Sequence, residues 1–439
     1  MVHANQKTFI ILSDYYYHSL YRTKTMMLSL GLLLVAILAL SCLSTSIFIQ
    51  QNGVLAQQNI QTIKSRNLVI DLGNGVKTNA QLTFPSIGKG PFPGVLLISG
   101  SGGNDKNGTI GFVYKDGPIS PTPYWQIAQY LSERGFAVLR YDKRGIGANN
   151  TIDQNIWGNV TINDLIRDAE SALNVLTLQP EVDHQRISVI GHSEGTIIVP
   201  RVAIDNPNKV KNIVLMGTAA QNLVRDLLYY QVVDLPLEYS TNVLDRNHTG
   251  LISIQQIAKD PLLGHYLIPS SLLAANNNNK VITDNLAEKF NSTGHVSIQE
   301  QIRPALIKYY ENETAFNLSK CNDIRGCPIW FASESSLIPT LSIIGNISKS
   351  TGILILNGEN DTQTPVQQAL LLQQSLIEVN HPDHTLITYP NLGHFFYPSP
   401  QWFSEVGPIE PYVLADLYGW LEAHSGVSHS YVNTTADST

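Results

Sequence analysis

The segment Arg186–Thr196, RISVIGHSEGT, constrains this chain more than any other stretch. An apolar, β-branched run leads straight into Gly191-His192-Ser193-Glu194-Gly195, and a helix-compatible stretch follows. Glycines on both sides of a serine permit a tight strand-to-helix reversal. Such a turn lifts the serine hydroxyl above a sheet and sets it at a helix N-terminus. A bare Gly-x-Ser-x-Gly also describes a plain glycine turn with an N-cap serine. The strand before and the helix after it favour a nucleophile.

The rest of the chain supplies the matching frame. Short apolar runs at Gln81–Phe84, Val95–Ser99, Ala137–Tyr141, Arg186–Ile190, Asn212–Met216, Ile353–Leu356 and Leu386–Tyr389 read as strands buried on both faces. Between them lie amphipathic segments. The clearest is Ile162–Leu178, with Leu165, Ala169, Leu173 and Leu176 on one face, Thr161 as N-cap, Asp164 three residues on and Pro180 beyond the end. Strand and helix alternate, which predicts an α/β fold with a mostly parallel central sheet flanked by helices. The alternation breaks between about Ala220 and Ser350, where helical pieces dominate. The expected organisation is a tail over 1–25, an apolar anchor or signal segment over 26–49 and a Gln-rich linker over 50–65. A core in two parts (66–220 and 351–425) follows, with a helical cap over 221–350 between them and a flexible tail over 426–439.

Serine becomes a nucleophile only when a base takes its proton. Of the 12 histidines, His394 in YPNLGHFF follows a predicted strand near the end of the chain, where a base can reach Ser193. His192 adjoins the serine, but its direction within the turn makes it a poor base. The base needs an acid to hold its tautomer. ILILNGEND ends in Asp361, with Glu359 as the rival carboxylate; the helix start at Thr364-Pro365 favours Asp361. A tetrahedral intermediate needs donors for its oxyanion. Val95–Ser99 runs into Gly100-Ser101-Gly102-Gly103, so one donor is assigned to the backbone N–H of Ser101, with Gly102 as alternative, and the second to that of Glu194. A phosphate-cradling loop would require Gly-Lys-Ser/Thr, which does not follow.

LLISGSGGNDKNG, RYDKRGIGAN, GHSEG, LILNGENDTQTPV and NLGHFF, in that order, resemble the α/β-hydrolase superfamily, in particular its esterase and serine-aminopeptidase-like branch. The resemblance covers roughly residues 67–220 and 351–424. It implies a catalytic triad of Ser193, Asp361 and His394 and an oxyanion hole at Ser101 and Glu194. Thr196 departs from it, standing where many relatives carry another glycine.

Charge and targeting signals bound the partners. A formal net charge of −7, with 14% charged residues and no Lys/Arg-rich run, excludes the electrostatic footprint of a nucleic-acid binder. Met26–Ile49 is uninterrupted by charge and preceded by Arg22 and Lys24, so it reads as a membrane anchor with its N-terminus in the cytoplasm. A signal peptide cleaved near Val54-Leu55-Ala56 is the competing reading, and a lipid-modified Cys42 a weaker third. Everything after about residue 57 is then extracytoplasmic. Sequons at Asn107, Asn149, Asn159, Asn247, Asn291, Asn312, Asn317, Asn346 and Asn433 permit glycosylation, and Cys321 and Cys327 permit one disulfide across CNDIRGC.

One motif stands apart. DRNHTGLISIQQ, Asp245–Gln256, has the spacing of an EF-hand calcium loop: Asp245, Asn247 and Thr249 at alternating positions, Gly250 sixth and Ile252 eighth. Its twelfth residue is Gln256 where a bidentate Glu belongs. The loop therefore reads as one that keeps the shape without useful affinity, and no metal or other cofactor is expected. The function expected is hydrolysis of a small-molecule ester or acyl substrate through an acyl-enzyme. The helical insertion serves as a lid, and Trp330-Phe331 is a candidate pocket wall. Rival readings are a peptidase or thioesterase on the same fold, a non-catalytic surface binding protein and a calcium-regulated sensor.

Overall fold

The apolar runs of the sequence build the centre of the molecule. The computed structural model describes residues 62–109, 122–147, 151–274, 279–292, 294–317, 328–400, 405 and 407–426. Its strands are β1 (Ile63–Asp71), β2 (Lys77–Pro85), β3 (Phe92–Ile98), β4 (Ala137–Tyr141), β5 (Val182–His192), β6 (Val210–Met216), β7 (Leu251–Ser253), β8 (His295–Ser297), β9 (Gly352–Gly358) and β10 (His384–Tyr389). The helices used below are α1 (Pro123–Ser132), α2 (Ile162–Thr177), α3 (Gly195–Asp205), α4 (Ile254–Lys259), α5 (Asn279–Phe290), α6 (Arg303–Asn317), α7 (Pro328–Ser335), α8 (Val366–Glu378) and α9 (Pro411–Ser425). Met26–Ile49, the cysteines at 42, 321 and 327, and the sequons at 149 and 433 lie outside the described residues. Among the described residues, no helix is long and apolar enough to cross a membrane.

Eight strands form one sheet in the order β1-β2-β4-β3-β5-β6-β9-β10. The β1–β2 and β2–β4 joins are antiparallel and the others parallel. Register carries one apolar row across the sheet through Leu139, Leu96, Val189, Ile213 and Ile353, and the neighbouring row through Leu97, Ile190, Val214 and Leu354. The first row belongs to the core covered by α2, α3 and α8 through Leu165, Leu173, Val199, Val202, Leu372 and Leu376. The second belongs to the core covered by α1 and α9 through Ile127, Leu131, Val413 and Leu417. Two covered faces explain why these strands read as continuous apolar runs. The sheet and its flanking helices are the α/β-hydrolase architecture. α2 starts where its cap signals place it: Asp164 N–H donates to Thr161 Oγ1 (3.1 Å) and Thr161 N–H to Asp164 Oδ2 (2.9 Å).

β1 has no counterpart among the sequence-predicted strands, and it begins at Ile63, inside the stretch read as the linker 50–65. It is an edge strand with most residues exposed or half-buried, so its pattern resembles a polar loop.

The residues between β6 and β9 hold short helices and the antiparallel pair β7–β8. This pair is the centre of a repeat. Asn247–Gln256 (NHTGLISIQQ) and Asn291–Glu300 (NSTGHVSIQE) stand at the same offset that separates the facing residues Ile252 and Val296. Ile254 N–H donates to the Gly294 carbonyl and Ile298 N–H to the Gly250 carbonyl, each at 2.9 Å. Ser253 and Ser297 each cap the helix that follows, accepting at 3.2 Å from Gln256 N–H and Glu300 N–H. Two helix–loop–helix hands thus share a short β-bridge, with Ile252, Val296, Leu286 and Ile302 in their own apolar core.

Candidate active site

β5 ends at His192 and α3 begins at Gly195, leaving Ser193 and Glu194 to make the turn. Ser193 has φ +56°, a left-handed conformation rare for a side chain with a β-carbon. The flanking glycines are required sterically. A β-carbon at Gly191 would collide with the Gly195 carbonyl oxygen, and one at Gly195 would lie 2.6 Å from that of Ile98. Ser193 N–H bonds the Met216 carbonyl (2.9 Å). Thr196 earns its place by its hydroxyl, which donates to the Ser193 carbonyl (2.6 Å) and accepts from Ala219 N–H (2.9 Å).

Asp361 and His394 come from the loops after β9 and β10. Asp361 Oδ1 accepts from the backbone N–H groups of Gln363 and Thr364, each at 2.8 Å. Its Oδ2 accepts from Thr364 Oγ1 and from His394 Nδ1, again each at 2.8 Å. His394 therefore carries its proton on Nδ1 and leaves Nε2 as the basic nitrogen of the neutral ring. Glu359, the rival carboxylate, is exposed and accepts from Thr388 Oγ1 instead. Ser193, Asp361 and His394 are all buried. Gly100 approaches so closely that a β-carbon there would be 2.9 Å from Ser193 Cβ, and one at Gly217 would be 3.2 Å from the His394 ring. The His192 and His394 ring centroids are 4.6 Å apart. The glycine loop, the turn and the histidine loop thus converge.

The N–H groups of Ser101 and Glu194 donate to no protein acceptor among the described residues, which leaves two backbone donors open beside Ser193. Such a pair can hold a negative oxygen.

Electrostatics separate the two histidines. Burial lowers the affinity of His394 for a proton, but the charge and hydrogen bond of Asp361, with the charge of Glu405, outweigh it and hold the ring above the ordinary histidine value. His192 is pushed down to about 3, by burial first and then by His394. It stays neutral, so it is no base in the working range.

Sequence reasoning assigned no role at the site to Tyr124, Glu405 or Lys143. Tyr124 on α1 accepts from Gly100 N–H (2.8 Å) and meets His192 Nδ1 at 3.2 Å. Glu405 accepts from the N–H groups of His394 and Phe395. Lys143, within the quoted RYDKRG, reaches Glu194 and Gly100. Trp330 donates its indole N–H to Glu194 Oε2 (2.7 Å). Trp330 and Phe331 are both buried and belong to the apolar cluster that α2, α3 and α8 cover. Glu334 is 1% exposed, its Oε1 has no hydrogen-bond partner among the described residues, and burial pushes it up to about 8. Among the described residues, no His, Cys, Asp and Glu side chains gather as a metal-ligand set.

The chain is similar to several known proteins. A family model described as serine aminopeptidase, S33, matches residues 122–274, and one described as the prolyl oligopeptidase family matches residues 330–428. Esterase EstD of Thermotoga maritima is 32% identical over 175 residues, covering 38% of this chain and 38% of the esterase. Esterase FrsA of Yersinia pestis is 24% identical over 159 residues, covering 36% of this chain and 33% of that protein. The chain therefore spans little more than a third of the length of these curated relatives. The solved structure of proline iminopeptidase from Mycobacterium smegmatis superposes with a TM-score of 0.47 at 16% identity, covering 82% of this chain and 99% of that one.

Proposed function

Because the chain belongs to the α/β-hydrolase superfamily, we propose that it is a serine hydrolase that cleaves a carboxylic ester of a small molecule through an acyl-enzyme. The observation that carries the reading is the Asp361–His394 pair at 2.8 Å, beside a serine held at φ +56° and flanked by open backbone donors. Esterase matches support the ester as the bond attacked.

In this reading His394 Nε2 takes the Ser193 hydroxyl proton as Oγ attacks the acyl carbon. Asp361 holds the tautomer and stabilises the imidazolium. Negative charge on the former carbonyl oxygen settles on the N–H groups of Ser101 and Glu194. Collapse expels the alkoxide, which takes the proton from His394. Water, deprotonated by the same ring, then releases the acid and restores Ser193.

The two matching family models, both described by peptidase names, favour a second reading, in which the acyl group is an aminoacyl or peptidyl group. The apolar run Met26–Ile49 supports an extracytoplasmic location, anchored or secreted, and the sequons are compatible with it. Both substrate readings are tested by turnover of p-nitrophenyl esters of graded acyl length and of aminoacyl p-nitroanilides, with Ser193→Ala as control. The nucleophile assignment requires the variant to lose at least about 1,000-fold in kcat/KM. Equal rates in both proteins would remove Ser193 from the chemistry.

A further inference from the structure

A buried ion pair beside the site has no part in proton transfer. Lys143 follows β4 and is 3% exposed. Its Nζ donates to the Gly100 carbonyl oxygen at 2.5 Å and to Glu194 Oε1 at 2.6 Å. Glu194 is fully buried, and its other carboxylate oxygen takes the Trp330 indole N–H. These contacts land on the two residues that frame the open donors. Gly100 C=O and Ser101 N–H belong to one trans peptide plane, so they point in opposite directions. A cation fixed on the carbonyl therefore aims the N–H away from itself. The second contact fixes the residue whose own N–H is the other donor.

We infer that Lys143 is the positioning residue of the oxyanion hole, holding both donor peptides in register through one ammonium group. The inference rests on the proposed serine-hydrolase reading and deepens it. Asn104 assists from the loop side, with Nδ2 donating at 2.8 Å to the carbonyls of both Gly100 and Ser101. Trp330 comes from α7, in the stretch between β6 and β9, so the insertion completes the set of bonds on Glu194. A buried ion pair is weak as a stabiliser, because the desolvation of two charges offsets their attraction. Its value here is geometric, since one point charge with several donors can satisfy two acceptors on different loops. Misaimed backbone donors lose their effect on the transition state while leaving ground-state binding nearly intact.

The test is a kinetic comparison on the best ester or amide substrate. Lys143→Met alone strands the Glu194 carboxylate and is the variant at risk of misfolding. Lys143→Met/Glu194→Gln removes both charges and keeps a partner for Trp330. Folding is checked by circular dichroism and a thermal melt. Expected in the folded double variant is a fall in kcat of about 100-fold with KM within about threefold. Affinity for an alkyl boronic acid, which mimics the tetrahedral state, should fall in the same proportion. Glu194→Gln, which keeps Lys143 on Gly100, should retain more activity than the double variant. A folded double variant within about tenfold of the wild-type kcat, or one whose KM rises instead, overturns the inference. Ser193→Ala separates the two claims. If it matches the wild-type protein, or if the wild type turns over neither class of substrate, the hydrolase reading fails. If it is inactive while the double variant is fully active, only the role of Lys143 fails.

Discussion

His192 Nε2 donates to the backbone carbonyl of His394 at 2.9 Å, joining the residue before the nucleophile to the proposed base. The bond fixes the neutral tautomer and leaves Nδ1 to accept from the Tyr124 hydroxyl, which itself accepts from Gly100 N–H. One chain of hydrogen bonds thus crosses from the glycine loop through α1 and the turn to the histidine loop. The Phe395 ring stacks on His192 at 4.7 Å and holds it in place. Replacing the imidazole by an apolar ring, His192→Phe, leaves the Tyr124 hydroxyl and the His394 carbonyl buried without this partner. The expected cost is about 1–3 kcal/mol of stability and a lower kcat. Because His192 stays neutral, the pH midpoint of activity should not move. A denaturant melt and a pH–rate profile check both halves, and a shifted midpoint would show that His192 titrates in catalysis.

The pH dependence of the reaction should follow His394. The proposed base works unprotonated, and its affinity for a proton is raised, so kcat/KM climbs as pH passes through a value above the ordinary histidine figure of 6.5. Asp361→Asn removes the largest of the raising influences, so the acid limb should move to lower pH while kcat falls by about 10,000-fold. Glu405→Gln removes a smaller one. It should move the limb in the same direction with a modest loss of rate, since the amide can accept only one of the two backbone N–H bonds from His394 and Phe395. An acid limb that is unmoved in both variants would detach it from His394.

Glu334 predicts a stability profile of opposite sense to a salt-bridged carboxylate. Burial, then the charge of Glu194, raises it from 4.5 to about 8, against the pull of Arg201 and Lys143. Between those two values the folded protein holds a proton that the unfolded chain has released, so unfolding releases a proton and stability falls as pH rises. Below 4.5 both states are protonated and no such loss occurs. Integrated to above pH 8, the loss is on the order of 5 kcal/mol. Glu334→Gln should match the wild type near pH 5 and exceed it increasingly toward pH 8.5 in urea melts. Parallel curves for the two proteins across that range would show that Glu334 is ionised throughout.

Legibility in the sequence followed burial and locality. β4 begins and ends at the residues its run marks, because a strand buried on both faces is apolar nearly throughout, with Arg140 its one charged residue. The α2 capping box was equally plain, since its partners are three residues apart. β1 escaped because one edge strand with solvent on most residues carries no such run. Asp361 and Glu359 stand two residues apart beyond the same strand, and only the turn made by Gln363 and Thr364 sends one inward and leaves the other exposed. The Lys143–Glu194 bond joins residues 51 apart and brings two loops together through the sheet order, which no local pattern encodes. The second helix–loop–helix hand was hidden for a chemical reason. Lys289 stands where Asp245 opens the first loop, so the opening carboxylate is gone although NSTGHVSIQE keeps the rest.

That substitution, with Gln256, predicts how the paired hands respond to calcium. In the first loop Asp245 Oδ1 already accepts from Thr249 N–H and from Thr249 Oγ1, each at 3.0 Å, and Oδ2 from Gly250 N–H at 2.6 Å. Gln256 turns back to the helix start, its Oε1 accepting from Ser253 N–H (3.0 Å) and Ser253 Oγ (2.9 Å). Hydrogen bonds thus hold the loop in the shape that an ion holds elsewhere, with one carboxylate where tight sites use several. The wild-type Tm should therefore move by less than about 1 °C between ~1 mM calcium and excess chelator. Gln256→Glu restores the twelfth-position carboxylate, and calcium should then raise Tm by several degrees through binding to the folded state alone. A calcium-dependent rise in the unaltered protein would mean that the loop is a working site and that the paired hands answer to the ion.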